Sequence, residues 1–227
     1  MRRFDVLSLF PNYFNGPFDE SLIKRARTKG ILDVRLVDIR DFADNKHKKV
    51  DDSSYGGGPG MVMMPEPLSK AIRASRTPEA HVVYLSPQGA PLNAAKCREL
   101  AGYSHLVLVC GHYEGIDQRV LESEIDEEIS IGDYVLTNGC VAAIVLMDAV
   151  CRFIPGFLGH EEAADQDSFE NGLLDWPHYT RPENFEGRCV PSVLLSGNHE
   201  KIREWRLEQA KKKTREVRPD LSGFMDL

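Results

Sequence analysis

Apolar positions in the first two thirds of the chain fall into short blocks separated by polar, glycine-bearing segments. Phe4 to Phe10 alternates as a half-buried strand does, and Val34 to Phe42 reads as a second strand. Between them, Asp19 is placed to cap a helix running to about Lys29, with Gly30 just past its end. Glu66 to Arg73 predicts a helix, and His81 to Leu85 a buried strand. Asn93 can cap a helix that stops before Gly102, and His105 to Cys110 is a further strand. Ile116 to Ser123 reads as a short helix, Ile129 to Val135 as a strand, and Gly139 to Phe153 as a strongly apolar helix. Strand and helix alternate throughout. That order predicts an α/β fold, a mostly parallel sheet with helices on both faces.

The pattern changes after Pro155. Gly159 to Gly172 is rich in Glu, Asp, Ala and Gln and has no apolar period. Beyond Leu173 the pattern reads as helical, clearest from a cap at Asn198 through Lys213, and Pro219 marks its end. We therefore expect a catalytic domain over residues 1–158, a flexible linker over 159–172 and a small helical domain over 173–227.

Composition narrows the class. The chain has 227 residues, enough for one large domain or two small ones. Its net charge of -7 argues mildly against nucleic acid, yet basic residues cluster at Lys24–Lys29, Lys46–Lys49 and Lys211–Arg215. Each cluster has an ordinary reading as a solvated face. The 5 cysteines show no C-x-x-C spacing, and several sit in apolar runs, as buried thiols in a reducing compartment do. The start of the chain enters a strand rather than a secretory apolar segment. The longest uncharged apolar run, Val135 to Met147, is too short to span a bilayer. The expectation is a cytoplasmic protein without membrane contact.

Three loops carry the chemistry. Tyr84-Leu-Ser-Pro-Gln-Gly89, Cys110-Gly-His-Tyr-Glu-Gly115 and Ile131-Gly-Asp-Tyr-Val-Leu-Thr-Asn-Gly139 each follow an apolar run. Glycine loops at strand ends are where open α/β sheets bind ligands. The first two lack a cationic side chain, so they suit a small polar molecule that itself carries positive charge. No P-loop motif occurs, and the dinucleotide fingerprint is incomplete at Gly58-Pro-Gly60. His112-Tyr-Glu114 resembles half of a zinc deaminase motif, but the P-C-x-x-C partner is absent. Asp165 and Asp167 read either as solvated linker acids or as a general base on a loop that orders with substrate. Arg152, ending the apolar helix, either complements the helix dipole or lies near the third loop and steadies negative charge.

Taken together, these segments carry a resemblance. Tyr55-Gly-Gly-Gly-Pro-Gly-Met61, Tyr84 to Gly89, Gly111-His-Tyr-Glu-Gly-Ile-Asp117, Ile131 to Leu136, Arg152-Phe-Ile-Pro-Gly156, Asp167-Ser-Phe169, Pro177-His-Tyr-Thr-Arg-Pro182 and Leu195-Ser-Gly-Asn-His199 resemble, in order, the bacterial tRNA (guanine-N1)-methyltransferase family, TrmD. The resemblance implies a SPOUT-type α/β fold with a deep trefoil knot, and a homodimer. It implies transfer of a methyl group from S-adenosylmethionine to N1 of the guanosine just 3′ of the tRNA anticodon. By motif position the donor would sit on Tyr84, Leu85 and Ser86 of the first loop and Gly111, Tyr113 and Glu114 of the second. From the third loop it would touch Ile131, Gly132, Asp133, Tyr134, Val135, Leu136 and Gly139. Asp167 matches the family's general base and Arg152 the residue that stabilises the base being methylated. Glu114 is tied to the family's divalent cation, expected to be Mg2+.

The chain departs from the family after Leu136. Many relatives carry Gly-Gly-Glu-Leu-Pro there, whereas this chain has Thr137-Asn-Gly-Cys-Val-Ala142. Contacts made by backbone would tolerate the change. A SPOUT methyltransferase acting on another RNA is the nearest alternative, and a protein that holds an adenosyl ligand without turnover is a second. Asp167 and Arg152 are both present, which favours turnover.

Overall fold

The computed structural model describes residues 1–159 and 167–224. The chain forms two compact units, Met1–Gly159 and His160–Leu227. The first holds a five-stranded sheet made of β1 (Arg2–Ser8), β2 (Leu32–Asp38), β5 (Ala80–Pro91), β6 (His105–Cys110) and β7 (Glu127–Ser130). Two short strands, β3 (Asp51–Asp52) and β4 (Val62–Met63), form a separate ribbon. The order in the large sheet is β2-β1-β6-β5-β7, and every pairing is parallel.

Both faces are covered. Phe4, Val6, Val83, Leu85, Leu106 and Leu108 point to a face shared with helices α1 (Ser21–Thr28), α3 (Ala94–Leu100) and α5 (Cys140–Cys151). Leu7, Val82, Tyr84, Val107 and Val109 point to the other, against α2 (Pro65–Ser75) and α4 (Gln118–Glu124). Strand periodicity assigns adjacent residues to opposite faces, so Val82 and Val83 serve different cores. Two-faced burial explains the continuous apolar run of β6, all six residues of which are buried.

Connectivity fixes where a ligand can enter. The chain leaves β5, crosses by α3 to β6 on one side, then crosses by α4 to β7 on the other side of β5. The two crossover helices lie on opposite faces, as right-handed crossovers in opposite directions require. The carboxyl ends of β5, β6 and β7 therefore surround a crevice where the direction of winding reverses.

Several expected elements shift. The first helix begins at Ser21 without a side-chain cap, because Asp19 accepts from Arg27 at 2.6 Å instead. The strand expected over Val34 to Phe42 ends at Asp38, whose carboxylate caps a 3-10 turn over Ile39–Phe42. The strand expected over Ile129 to Val135 is Glu127–Ser130, because the chain turns at Gly132.

The second unit is less helical than its sequence suggests. Asn184–Phe185 and Arg188–Cys189 pair as strands β8 and β9, followed by α6 (Ser192–Leu195) and α7 (His199–Val217). Asn198 caps α7 through its side chain, as expected. Ala210 and Thr214, one turn apart, form the buried face of α7, and Thr214 Oγ1 accepts from Leu174 N at 2.8 Å. The expected linker falls partly on residues 160–166, outside the described residues. Its described part turns at Phe169, where the Phe169 N–H donates to Leu173 O at 2.7 Å.

Candidate active site

The three glycine loops converge on one cavity of about 250 Å3 at the carboxyl ends of β5, β6 and β7. Tyr84, Leu85, Ser86, Gly111, Tyr113 and Glu114 line it, with Ile131, Gly132, Tyr134, Val135, Leu136 and Gly139 from the third loop. Asp133 is not among the lining residues. Gln88, His112, Ser130, Thr137, Asn138 and Leu121 also line the cavity and were not singled out as ligands. The first five adjoin the motif positions. Leu121 comes from α4, where nothing in sequence separates a cavity wall from ordinary core.

Close backbone approach explains the glycines. A Cβ on Gly111 would lie 2.7 Å from the Tyr84 hydroxyl, and one on Gly139 would lie 2.9 Å from Gly111 N. Gly139 N–H donates to Gly111 O at 2.8 Å, and His112 bridges to Asn138. The third loop thus runs back from β7, past β5, to the end of β6. Tyr113 is held in the left-handed region at φ 59, a conformation that costs an L-residue on the order of 1 kcal/mol or more and clusters at functional loops.

The cavity is electrostatically simple. Among the described residues no Lys or Arg lines it, and Glu114 is its lining carboxylate. Burial pushes the Tyr84 hydroxyl up to about 12, with the Glu128 charge adding to it against a backbone hydrogen bond from Ile116. Burial likewise lowers His112, helped by Arg40, so its ring is neutral at pH 7. That ring packs edge-on against Phe10 and Tyr113, at 5.2 and 4.4 Å. A cationic ligand therefore meets backbone carbonyls, aromatic faces and one carboxylate. A sulfonium donor fits these surroundings, since it needs no phosphate cradle.

The metal expectation has less support. Among the described residues no three His, Cys, Asp or Glu side chains are grouped to hold an ion. Glu114 packs over Gly60, with its carboxylate where a Gly60 Cβ would stand. A lone carboxylate makes no all-protein cage, whereas Mg2+ is held through one or two carboxylates together with waters and substrate oxygens.

The two expected catalytic residues do not line this cavity. Arg152 follows α5 as its C-cap, at the end away from Gly139. Twelve residues of helix separate it from Cys140 by about 18 Å. Asp167 belongs to the second unit, where it lines a cavity of about 440 Å3 with Asn171, Trp176, Arg203 and Arg206. A neighbouring cavity of about 930 Å3 is walled by Trp176, His178, Tyr179, Arg181 and Arg206. Arg206 stacks on the Trp176 ring at 4.9 Å, and its buried Nε has no hydrogen-bond partner among the described residues.

Known proteins decide the family. A family model described as tRNA (Guanine-1)-methyltransferase TrmD matches residues 1–223. The chain belongs to this family. It is 71% identical over 217 residues to the tRNA (guanine-N(1)-)-methyltransferase of Protochlamydia amoebophila (strain UWE25), covering 96% of this chain and 98% of that one. A protein of the same name from Chlamydia pneumoniae is 60% identical over 219 residues, covering 96% of this chain. One from Chlamydia trachomatis serovar D is 59% identical over 217 residues, again covering 96%. The chain spans 60% and 61% of the length of these two Chlamydia proteins.

Asn138, between the cavity and α5, has a local structural role. Its Oδ1 accepts from Cys140 N at 2.9 Å, an Asx-type turn that leads into α5, whose N-cap is Gly139. The neighbouring contact to Gly111 is made by Gly139 backbone, which the change at Asn138 leaves intact.

Proposed function

We propose that this chain transfers a methyl group from S-adenosylmethionine to N1 of the guanosine immediately 3′ of the tRNA anticodon, giving 1-methylguanosine. The observation that carries this reading is the convergence of three strand-end loops on one cavity without a cation, in a chain of the TrmD family. The donor supplies an electrophilic methyl carbon on a sulfonium. The cavity holds it by backbone and by Tyr84, Ser86 and Glu114.

The chain's own residues deal with the acceptor. N1 of guanine carries a proton at neutral pH, so its lone pair is poorly available. Asp167 takes that proton. A carboxylate is a weak base for it, and Arg152 helps by meeting the negative charge that develops at guanine O6. The N1–carbon bond forms as the carbon–sulfur bond breaks, and the electron pair returns to sulfur. In-line placement of the two substrates supplies much of the remaining acceleration.

Arg152 also argues for a homodimer. At about 18 Å along α5 from the cavity wall, it reaches an acceptor above the cavity most simply from a second copy. Val141 and Val145, one turn apart on α5, are exposed and provide an apolar stripe for such a contact. The path of the third loop past β5 to the end of β6 supports the knot expected of the SPOUT fold.

The second unit is read as the RNA-binding part. Unstacked bases are held by aromatic faces and arginine planes, and Trp176, Tyr179, Arg181 and Arg206 offer both. No helix among the described residues is long and apolar enough to cross a membrane. Four of the five cysteines are buried free thiols, which fits a cytoplasmic site of action. The test is incubation with labelled S-adenosylmethionine and unmodified tRNA transcripts. Label should enter transcripts with guanosine at the position after the anticodon and spare those with adenosine there. Equal labelling of both would favour another RNA position.

A further inference from the structure

Within the second unit, the cavity of about 440 Å3 that holds Asp167 is built from two segments. Arg203, Arg206, Leu207 and Ala210 line it from α7. Spaced at i, i+3, i+4 and i+7, they share one face of the helix. The rest of the wall is the stretch from Asp167 to Trp176. Two hydrogen bonds close that stretch into a turn, from Phe169 N–H to Leu173 O at 2.7 Å and from Asp175 N–H to Ser168 Oγ at 3.0 Å. Leu174 N–H donates to Thr214 Oγ1 at 2.8 Å and so ties the turn to the helix. Pockets of roughly 300–1,000 Å3 hold small organic groups.

The polar groups of this wall are held in different ways. Asp175 is engaged by its own turn. Its carboxylate accepts from Trp176 N–H at 2.7 Å and meets His178 Nε2 at 2.7 Å. Arg206 is fixed by stacking. Its guanidinium carbon lies 4.9 Å from the centre of the Trp176 ring. Its Nε is buried and has no hydrogen-bond partner among the described residues. A buried donor without an acceptor is costly, so a ligand that brings an acceptor is favoured there.

We propose that Arg206 is a specificity-determining residue for guanine: the acceptor base enters this cavity with its N1–H and N2 amine toward Asp167 and with N7 and O6 toward Arg206. The proposal rests on the methyltransferase reading above. A planar guanidinium matches the paired O6 and N7 acceptors of guanine. A carboxylate matches two adjacent N–H groups by the same bidentate geometry. Adenine fails on both sides, since it carries an amine in place of O6 and no proton on N1. A pyrimidine has no N7. A phosphate would be repelled by Asp167 and Asp175 in the wall. Leu173, Leu207 and Ala210 give a base an apolar surface that a phosphate could not use. Unpaired bases in RNA are read on both edges in this manner.

The test uses the full chain, S-adenosylmethionine and tRNA transcripts with guanosine, 7-deazaguanosine or inosine immediately after the anticodon. 7-Deazaguanosine has C–H in place of N7, and inosine lacks the N2 amine. Single-turnover methylation by the unsubstituted protein should be about tenfold slower, or more, for each analogue than for guanosine, within the range for one bidentate base contact. In Arg206→Ala the 7-deaza penalty should vanish, while the inosine penalty, which runs through Asp167, stays. Each penalty is a ratio within one protein, so a partial loss of folding cancels. If the alanine variant does not fold, Arg206→Lys keeps the cation without the planar fork, and its 7-deaza penalty should fall by at least half.

No 7-deaza penalty in the unsubstituted protein, or an undiminished one in the Arg206 variant, overturns the inference and leaves the methyltransferase reading standing. Loss of both penalties together in Arg206→Ala overturns the assignment of edges as well. Failure of the unsubstituted protein to methylate even the guanosine transcript overturns the methyltransferase reading instead. Filter retention of the three transcripts then decides the Arg206 contact by the same ratios.

Discussion

The loop-lined cavity of the first unit and the cavity beside Trp176 in the second are built from different groups. The first is a backbone construction: loops from three adjacent strands, pinned by a Gly139–Gly111 hydrogen bond, with no Lys or Arg in its wall. The second is a side-chain construction, in which indole, phenol, imidazole and guanidinium groups wall a wider space. Backbone walls fix one small ligand's shape. Aromatic and arginine walls accept a stacked base of varied identity. On the proposed function, one chain separates recognition of a small cationic donor from recognition of a large anionic acceptor.

That division can be broken in stages. Asp167→Asn should have the largest effect. Methyl transfer should fall roughly 10²- to 10⁴-fold, the range for losing a general base, while calorimetry finds donor binding unchanged. Full activity would remove Asp167 from the chemistry. Gly111→Ala comes next. The added carbon meets the Tyr84 hydroxyl at 2.7 Å, and overpacking of about 1–3 kcal/mol should weaken the donor some tens of fold and lower the melting temperature. tRNA binding, read by filter retention, should hardly change.

Trp176→Ala should do the reverse. Loss of one aromatic platform should weaken tRNA by about tenfold, the low end of the stacking contribution, and leave donor calorimetry as it was. A loss of donor affinity there would mean that the two recognition tasks are not separate.

The smallest effect concerns acid. Burial lowers both His105 and His112. Above about pH 6.5 both are neutral, folded or unfolded, and their environments cost nothing. Below it the unfolded chain takes up protons first, so folded stability falls as pH drops toward the lowered values. Urea unfolding at about pH 7 and pH 5.5, on either side of the free histidine value, should show this loss. His112→Gln should reduce it.

How much of this was readable from sequence depended on which force acted locally. β6 was placed residue for residue, because burial on both faces leaves an uninterrupted apolar run with sharp ends. Asn93 and Asn198 were placed as caps because a side-chain oxygen satisfying backbone N–H groups is a local matter. Asp19 misled for the opposite reason: a distant Arg27 took the carboxylate. The run Ile129 to Val135 reads as strand because apolar side chains lining a cavity resemble those entering a core. Its Tyr134 instead folds back, its N–H donating to Gly132 O at 2.9 Å. The three loops were legible as a site because glycine marks close approach. Arg152 closes α5, about 18 Å along the helix from Cys140, a separation that follows from helix length rather than from any local motif.

The account stands most directly on donor binding by the chain without RNA. Calorimetric titration of the reduced protein with S-adenosylmethionine should give one site per chain, lost or sharply weakened in Gly111→Ala and kept in Asp167→Asn and Trp176→Ala. An absence of heat in the unsubstituted protein, or equal binding after Gly111→Ala, would contradict it.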